Sequence, residues 1–96
     1  MASSEHYFYV LLCADDSFYA GYTTDTLRRE REHNKGIGSK YTKARRPVRM
    51  IYNEVFGSRA EATKAEAAFK KLSRKQKEKF LKVRGISVFS SEPDGI

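Results

Sequence analysis

Residues 7–23 read YFYVLLCADDSFYAGYT, and this stretch carries the strongest fold signal in the chain. Residues 7–14 are aromatic, branched or small and carry no charge, which is typical of a strand covered on both faces. Residues 15–17 (DDS) favour a turn, because short polar side chains hydrogen-bond to nearby backbone. Residues 18–23 form a second run of strand type. The sequence therefore predicts an antiparallel hairpin.

Helix caps and breakers define the middle of the chain. Thr24 or Asp25 is a suitable N-cap for a helix over residues 26–34. Residues 36–47 contain two glycines and one proline and are predicted to form a basic loop. Residues 48–56 are rich in Val, Ile, Tyr and Phe and predict a third strand.

Two capping boxes predict the last two helices. Ser58 with Glu61 opens a helix whose alanines and aromatic residues recur at helical spacing. Ser73 with Gln76 opens another helix that runs to about residue 84. The small alanines of the first of these helices allow it to lie close to a sheet.

Chain length and element order predict one small domain. The 96 residues fit a single domain, which we place at residues 1–84. Residues 85–96 are predicted to be a poorly ordered tail with a short extended piece at residues 86–89. The order strand, strand, helix, strand, helix, helix predicts an α+β fold, with about three helices flanking a small, mainly antiparallel, three-stranded sheet.

The net charge of +7 predicts a polyanionic partner, because clustered Lys and Arg attract phosphates and release counterions. Nine of the 19 basic residues lie between Arg28 and Arg49, and eight more between Lys70 and Arg84. The two clusters suit two rims of a nucleic-acid footprint, but a solvated helix face explains the second equally well. The candidate nucleic-acid-binding residues of the first cluster are Lys35, Lys40, Tyr41, Lys43, Arg45 and Arg46.

Cys13 is the only cysteine, so neither an internal disulfide nor a cysteine-based metal site is expected. Its position in an apolar run predicts a core residue, and the low cysteine content predicts a cytoplasmic protein. The first residues lack the pattern of a signal peptide, and no stretch has the length needed to span a bilayer. We therefore expect no membrane partner.

Polar residues within these elements form a candidate site. Tyr19 and Gly21 end the second strand, where a glycine permits close approach of backbone or ligand. Arg29 and His33 are four residues apart and project from the same helix face. Glu66 lies beside the apolar stripe of its helix, where a carboxylate needs a cation or hydrogen bonds.

Each of these residues also has a structural explanation. Tyrosines pack well in strands, and helix arginines are commonly solvated or ion-paired. His33 suits a structural histidine, and Glu66 can pair with Lys70 one helical turn away. From the residues alone, a phosphodiester site and a purely structural role both remain open.

The ordered set of motifs resembles the GIY-YIG nuclease superfamily. Residues 7–9 (YFY) resemble the first motif, with Tyr9 at its tyrosine, and residues 19–21 (YAG) resemble the second. Arg29 stands at the family's spacing from the second tyrosine, and Glu66 resembles the metal-binding glutamate. His33 occupies a position where members carry His or Tyr, and residues 33–47 resemble the small stand-alone bacterial members.

Three positions depart from the family pattern. Tyr7 replaces the first glycine, and Ala20 replaces the usual isoleucine or valine. Tyr22 stands where some members carry a lysine, so the pattern does not support lysine-assisted deprotonation. Larger members add a DNA-targeting domain that this chain has no room for, which makes a separate targeting protein a candidate partner.

The resemblance implies metal-assisted hydrolysis of phosphodiesters in DNA rather than RNA, with structured or damaged DNA as the substrate. Glu66 would hold one divalent ion, Mg²⁺ or Mn²⁺, and Arg29 would bind the scissile phosphate. Tyr9 or Tyr19 would orient or deprotonate the attacking water, and His33 is a competing base. No organic cofactor is expected. The alternatives are a nucleic-acid-binding module that cleaves little or not at all, and a basic adaptor without nucleic acid.

Overall fold

The computed structural model describes residues 5–87. Its elements are β1 (His6–Leu12), β2 (Phe18–Thr23), α1 (Thr26–Asn34), α2 (Lys40–Lys43), β3 (Arg49–Phe56), α3 (Arg59–Lys70) and α4 (Arg74–Lys82). This order confirms the predicted α+β fold with one three-stranded sheet. In this part of the chain, no helix combines the length and apolar character that crossing a membrane requires.

The sheet has the order β2-β1-β3, and β1 pairs antiparallel with both neighbours. Side chains of a strand alternate between faces, and the central strand buries both of its faces. Phe8 and Val10 pack towards Phe69 and the other apolar residues of α3 and α4. Tyr9 and Leu11 lie on the opposite face with Cys13, which is a buried core residue. The prediction of a strand covered on both faces is confirmed.

Side-chain caps start the long helices where the sequence indicated. The Asp25 carboxylate accepts from the Arg28 N–H at 3.0 Å, which selects Asp25 over Thr24 as the cap of α1. Ser73 and Gln76 form the complete capping box of α4. At α3 the box is only half formed among the hydrogen bonds of residues 5–87. Ser58 accepts from the Glu61 N–H at 3.1 Å, and Glu61 returns no bond.

Two boundaries differ from the expectations. The predicted loop over residues 36–47 contains the one-turn helix α2, because the Ser39 hydroxyl accepts from the Thr42 N–H and starts a turn. Four residues are too few for a periodic apolar pattern, so hydrophobic periodicity did not predict this helix. Of the predicted extended piece at residues 86–89, residues 86 and 87 belong to no strand, and residues 88–96 lie outside the described part of the chain.

Candidate active site

Three buried side chains from three elements form a hydrogen-bonded chain. Tyr9 of β1 lies with its Oη 2.8 Å from Nε2 of His33 on α1. His33 Nδ1 is in turn 2.7 Å from Oγ1 of Thr42 on α2. All three residues are fully buried. The chain therefore ties the central strand to both helices on this face of the sheet.

Burial fixes the protons along this chain. Burial, together with the positive charge of Arg29, lowers the pKa of His33 to about 4, so the ring is neutral near neutral pH. Burial also raises the pKa of Tyr9 to about 12, so the phenol keeps its proton. Thr42 Oγ1 donates to the carbonyl oxygen of Ser39, which leaves it free to accept from Nδ1–H. The arrangement that satisfies every group has Tyr9 donating to Nε2 and Nδ1–H donating to Thr42.

Arg29 of α1 joins this chain from its exposed side. Its Nε donates to Tyr9 Oη at 3.3 Å, while its other nitrogens donate to Glu32 Oε1 at 3.0 Å and to the Gly38 carbonyl at 3.2 Å. A guanidinium carries five N–H donors, so two remain for a ligand. The side chain is 28% exposed and lines a cleft of about 210 Å³ with Arg28 and with Tyr22 of β2.

Two glycines make room for the buried rings. A Cβ on Gly21, which pairs with Tyr9 in the sheet, would overlap the Tyr9 hydroxyl. A Cβ on Gly38 would overlap the His33 ring in the same way. Gly21 and Gly38 are thus required by the site's own side chains. At Gly21 the sequence suggested close approach of backbone or a ligand, and the structure places the Tyr9 hydroxyl there.

Replacing Gly38 with alanine is expected to lower the free energy of unfolding by about 1–3 kcal/mol, because overpacking must push His33 off Thr42. Gly57→Ala is the matched control, since the nearest atom to its Cβ would be at 3.6 Å, an ordinary contact. Urea unfolding of both variants measures the difference. Equal stabilities of the two variants would contradict the proposed fit around His33.

Tyr19 and Tyr41 continue the site towards the surface. The Tyr19 ring is 5.2 Å from the His33 ring, edge to face, and stacks on the Tyr41 ring at 5.8 Å. The guanidinium of Arg45 lies 3.8 Å above the Tyr41 ring. Tyr19 is partly buried and Tyr41 is 37% exposed, so this side of the site is open to solvent.

Glu66 lies on α3, the helix that packs on the Phe8 and Val10 face of the sheet. Its side chain is 18% exposed, and Oε2 is 2.8 Å from Nζ of Lys70. Its negative charge is one of the influences that raise the pKa of Tyr9, so Glu66 and the buried chain act on each other through space. The pairing with Lys70 that the sequence allowed is therefore present, and a role for Glu66 at the site stays a prediction.

Glu66 suits a divalent ion held mainly by water and phosphate. Within residues 5–87 no three His, Cys, Asp or Glu side chains cluster as a complete cage. Mg²⁺ is commonly bound through one or two carboxylates together with water and substrate phosphate, and a single glutamate fits that pattern. Binding would require Glu66 to exchange its contact with Lys70 for the ion.

The two basic clusters approach each other at one cleft, which Arg49 of the first cluster and Arg74 of the second line together. Lys35, Lys40 and Lys43 are exposed beside α1 and α2. Arg45 and Arg46 use part of their guanidinium groups to hold the protein together, on Asp15 and on the Lys43 carbonyl respectively. The second cluster lies on and after α3 and α4. The interpretation of the two clusters as two rims of one nucleic-acid footprint stays a prediction.

Sequence reasoning missed Thr42, Ser39 and Glu32, which hold His33 and Arg29 in place. The spacing Ser39-x-x-Thr42 is that of a helix cap and was available in the sequence. The partnership of Thr42 with His33 was not, because it depends on how α2 packs against α1.

A model of the GIY-YIG catalytic domain matches residues 5–79. The chain belongs to the GIY-YIG family. This family is of nuclease type, which points to nucleic acid as the substrate, and its nucleases are generally metal-dependent. The matched GIY-YIG region contains the three hydrogen-bonded residues Tyr9, His33 and Thr42, and it also contains Arg29 and Glu66.

Small bacterial proteins resemble the chain over most of its length. A UPF0213 protein of Listeria monocytogenes is 68% identical over 79 residues, which are 82% of this chain and 88% of that protein. YazA of Bacillus subtilis, another UPF0213 protein, is 52% identical over 84% of this chain and 82% of its own.

Two solution NMR structures share the GIY-YIG fold seen here. The protein EF2693 from E. faecalis is 56% identical, with a TM-score of 0.60 over 94% of this chain and 96% of that one. A UPF0213 protein from Bacillus halodurans is 44% identical, with a TM-score of 0.57 over 84% of this chain and 86% of that one.

Proposed function

We propose that the chain is a metal-dependent endonuclease domain that hydrolyses phosphodiesters in structured or damaged DNA. The observation that carries the proposal is Arg29, a half-buried guanidinium with two free N–H donors, bonded to the buried Tyr9–His33 pair at the wall of a cleft. The guanidinium of Arg29, which can bind phosphate, is thus in direct contact with the Tyr9–His33 pair, which is proposed to take part in proton transfer.

Arg29 is the proposed ligand of the scissile phosphate. Its contacts with Glu32 and Gly38 fix the guanidinium plane before any substrate binds. Its two remaining donors suit two phosphate oxygens, and charge-assisted hydrogen bonds of this kind strengthen as negative charge builds up in the transition state. Because the donors are already oriented, little reorganisation is needed during the reaction.

Tyr9 and His33 are proposed to act as a pair, with Tyr19 nearest to the solvent. His33 is fully buried and bonded through both ring nitrogens, so it acts through Tyr9 and not on a substrate directly. Tyr9 directs its proton to His33 and accepts a hydrogen bond from Arg29 Nε, so the pair is linked to the proposed phosphate ligand. Tyr19, partly exposed and in contact with His33, is placed to orient the attacking water.

Glu66 is the residue proposed to hold one Mg²⁺ or Mn²⁺ ion, which when bound stabilises the charge that develops on the leaving oxygen. No organic cofactor is required by this scheme. The footprint for DNA is assigned to the first basic cluster, whose exposed lysines lie on the same side of the sheet as Arg29. A cytoplasmic location and a separate targeting protein complete the proposal.

A nucleic-acid-binding module without turnover is the second candidate. The ion pair between Glu66 and Lys70 favours it, because a carboxylate already neutralised by a lysine does not need a metal ion. Both candidates use the same basic surface, so binding alone does not separate them.

Cleavage of nicked and branched DNA in Mg²⁺ or Mn²⁺, compared between the wild-type chain and Glu66→Gln, tests the proposal. Loss of cleavage in Glu66→Gln with unchanged DNA binding supports it. Glu78→Gln is the matched control, because Glu78 also pairs with a cation one helical turn away, on α4. If the wild type cuts no substrate and both proteins bind DNA equally, the binding module is correct. Binding that does not weaken with salt would exclude nucleic acid altogether.

A further inference from the structure

Three planar side chains lie against one another on the surface, beside the hydrogen-bonded series of Tyr9, His33 and Thr42. We call Tyr19, Tyr41 and Arg45 the stacking cluster. The rings of Tyr19 and Tyr41 are inclined by only 28°, and the Arg45 guanidinium lies 3.8 Å from the centre of the Tyr41 ring. The inner end of the cluster contacts His33, so it begins at the candidate active site.

The stacking cluster is held in place by contacts to the rest of the fold. Arg45 Nε donates to the Asp15 carboxylate at 3.0 Å, and Nη1 donates to the Tyr41 carbonyl at 3.0 Å. The Arg45 carbonyl accepts from the Ala14 N–H at 3.0 Å. Because the β1–β2 turn and α2 both hold Arg45, the planar surface is ordered before a ligand arrives.

Tyr41 differs from the other aromatic partners of arginine in this chain. Arg74 covers Phe18, and Arg84 covers Phe80 and Tyr52, but these three rings pack against the buried core. Tyr22, which lies under Arg59, is partly buried and hydrogen-bonded to His6. Tyr41 belongs to neither core cluster and is 37% exposed. Core packing, and for Tyr22 the contact with His6, therefore account for the other pairs and leave the exposed position of Tyr41 unexplained.

Planar aromatic and guanidinium surfaces within a positive patch are what proteins use to stack nucleobases. Lys40 and Lys43 flank Tyr41 on α2 and supply positive charge for the neighbouring phosphates. The faces of a base are covered inside a duplex, so only an unpaired base can stack on a side chain. The chemistry of the cluster therefore favours an unpaired nucleobase that lies outside the nucleic-acid duplex.

We propose that the stacking cluster binds one unpaired nucleobase beside the phosphate held by Arg29. The inference rests on the proposed function and narrows its substrate to DNA with an unpaired or extruded nucleotide next to the cleavage point. The centres of the Tyr19 and Tyr41 rings are 5.8 Å apart, so the rings overlap only in part and the 37% exposed Tyr41 ring keeps open surface for the base. Arg45 holds that ring, and Tyr19 connects the cluster to His33.

Fluorescence of 2-aminopurine tests this proposal. The probe is placed as a single-nucleotide bulge in a DNA duplex, with a fully paired duplex of the same sequence for comparison, in EDTA so that binding is measured without cleavage. Stacking on a tyrosine quenches the probe. We expect the wild type to quench the bulge and Tyr41→Leu to bind the bulge at least about 10-fold more weakly without quenching, while binding to the paired duplex stays within about 2-fold.

Matched variants separate stacking from charge and from folding. Tyr41→Phe keeps the ring and should keep the quenching. Arg45→Ala and Arg74→Ala each remove one cation that lies over an aromatic ring and pairs with a carboxylate, but only Arg45→Ala should weaken bulge binding. If Tyr41→Leu fails to fold, Tyr41→Phe and the two arginine variants still give the result.

The outcomes distinguish this inference from the proposed function. Binding of the bulge without quenching, or equal quenching by the wild type and Tyr41→Leu, overturns the stacking cluster as a base site and leaves cleavage by Arg29 and Glu66 untouched. Equal effects of Arg45→Ala and Arg74→Ala also overturn it. Absence of any DNA binding overturns both proposals together.

Discussion

Replacing Arg29 with lysine is expected to reduce the rate of DNA cleavage by about 100-fold to 1,000-fold, the range for loss of one preorganised donor to transition-state charge. Lysine keeps the positive charge but has no planar fork, so it cannot contact Tyr9, Glu32 and Gly38 while presenting two donors to phosphate. The loss should appear in kcat more than in KM, because the retained charge still attracts the substrate. Single-turnover cleavage of nicked DNA measures it.

Arg28→Lys is the control for this prediction. Arg28 lines the same cleft and pairs with the same Glu32, but its side chain is 52% exposed and it does not reach Tyr9 in the part of the chain that the structure describes. We expect a change of less than about 3-fold, as for an exposed ion pair. Equal losses in Arg28→Lys and Arg29→Lys would mean that the cleft needs only positive charge, and the assigned role of Arg29 would then be wrong.

Acidification is expected to destabilise the fold through His33. The pKa of His33 is about 4 in the folded chain, below the ordinary value of 6.5, so the unfolded chain takes up the proton first. The stabilisation is complete above about pH 6.5 and is lost as the pH falls towards 4. A shift of this size corresponds to about 3 kcal/mol, a large share of the stability of a small domain.

Urea unfolding between about pH 7.5 and pH 4 measures this loss, and His33→Gln isolates it. The variant should be less stable than the wild type near neutral pH, because glutamine does not reproduce the bonds to Tyr9 and Thr42. Its stability should fall with acid by about 3 kcal/mol less than that of the wild type. Parallel slopes for wild type and His33→Gln would show that His33 is not held neutral by burial.

The local elements could be predicted because they depend on neighbours in the sequence. The uncharged run in β1, the cap at Asp25 and the capping box at Ser73 each act over a few residues. The one-turn helix α2 was missed because a single hydroxyl cap and packing against α1 stabilise it, not a periodic pattern. The half-formed box at Ser58 shows that a matching motif does not guarantee both of its bonds.

The candidate site was only partly contained in the sequence. Spacing placed Arg29 and His33 on one helix face, and the family motifs added Tyr9, Tyr19 and Glu66. The sequence left open whether His33 faces a substrate. Its complete burial between Tyr9 and Thr42 depends on contacts between residues 24 and nine positions apart, which local patterns do not encode.

The sequence by itself determined the hairpin, the antiparallel sheet, the helix starts, the basic character and the family, because all of these follow from residue type and short-range spacing. Only the tertiary structure determined the protonation states of Tyr9 and His33. The pKa of Tyr9 rises and that of His33 falls because folding removes both groups from water, whereas the neighbouring Arg29 lowers both pKa values and so opposes the rise at Tyr9. It also decided that Gly21 and Gly38 serve the buried rings and that Tyr41 stays exposed beside them.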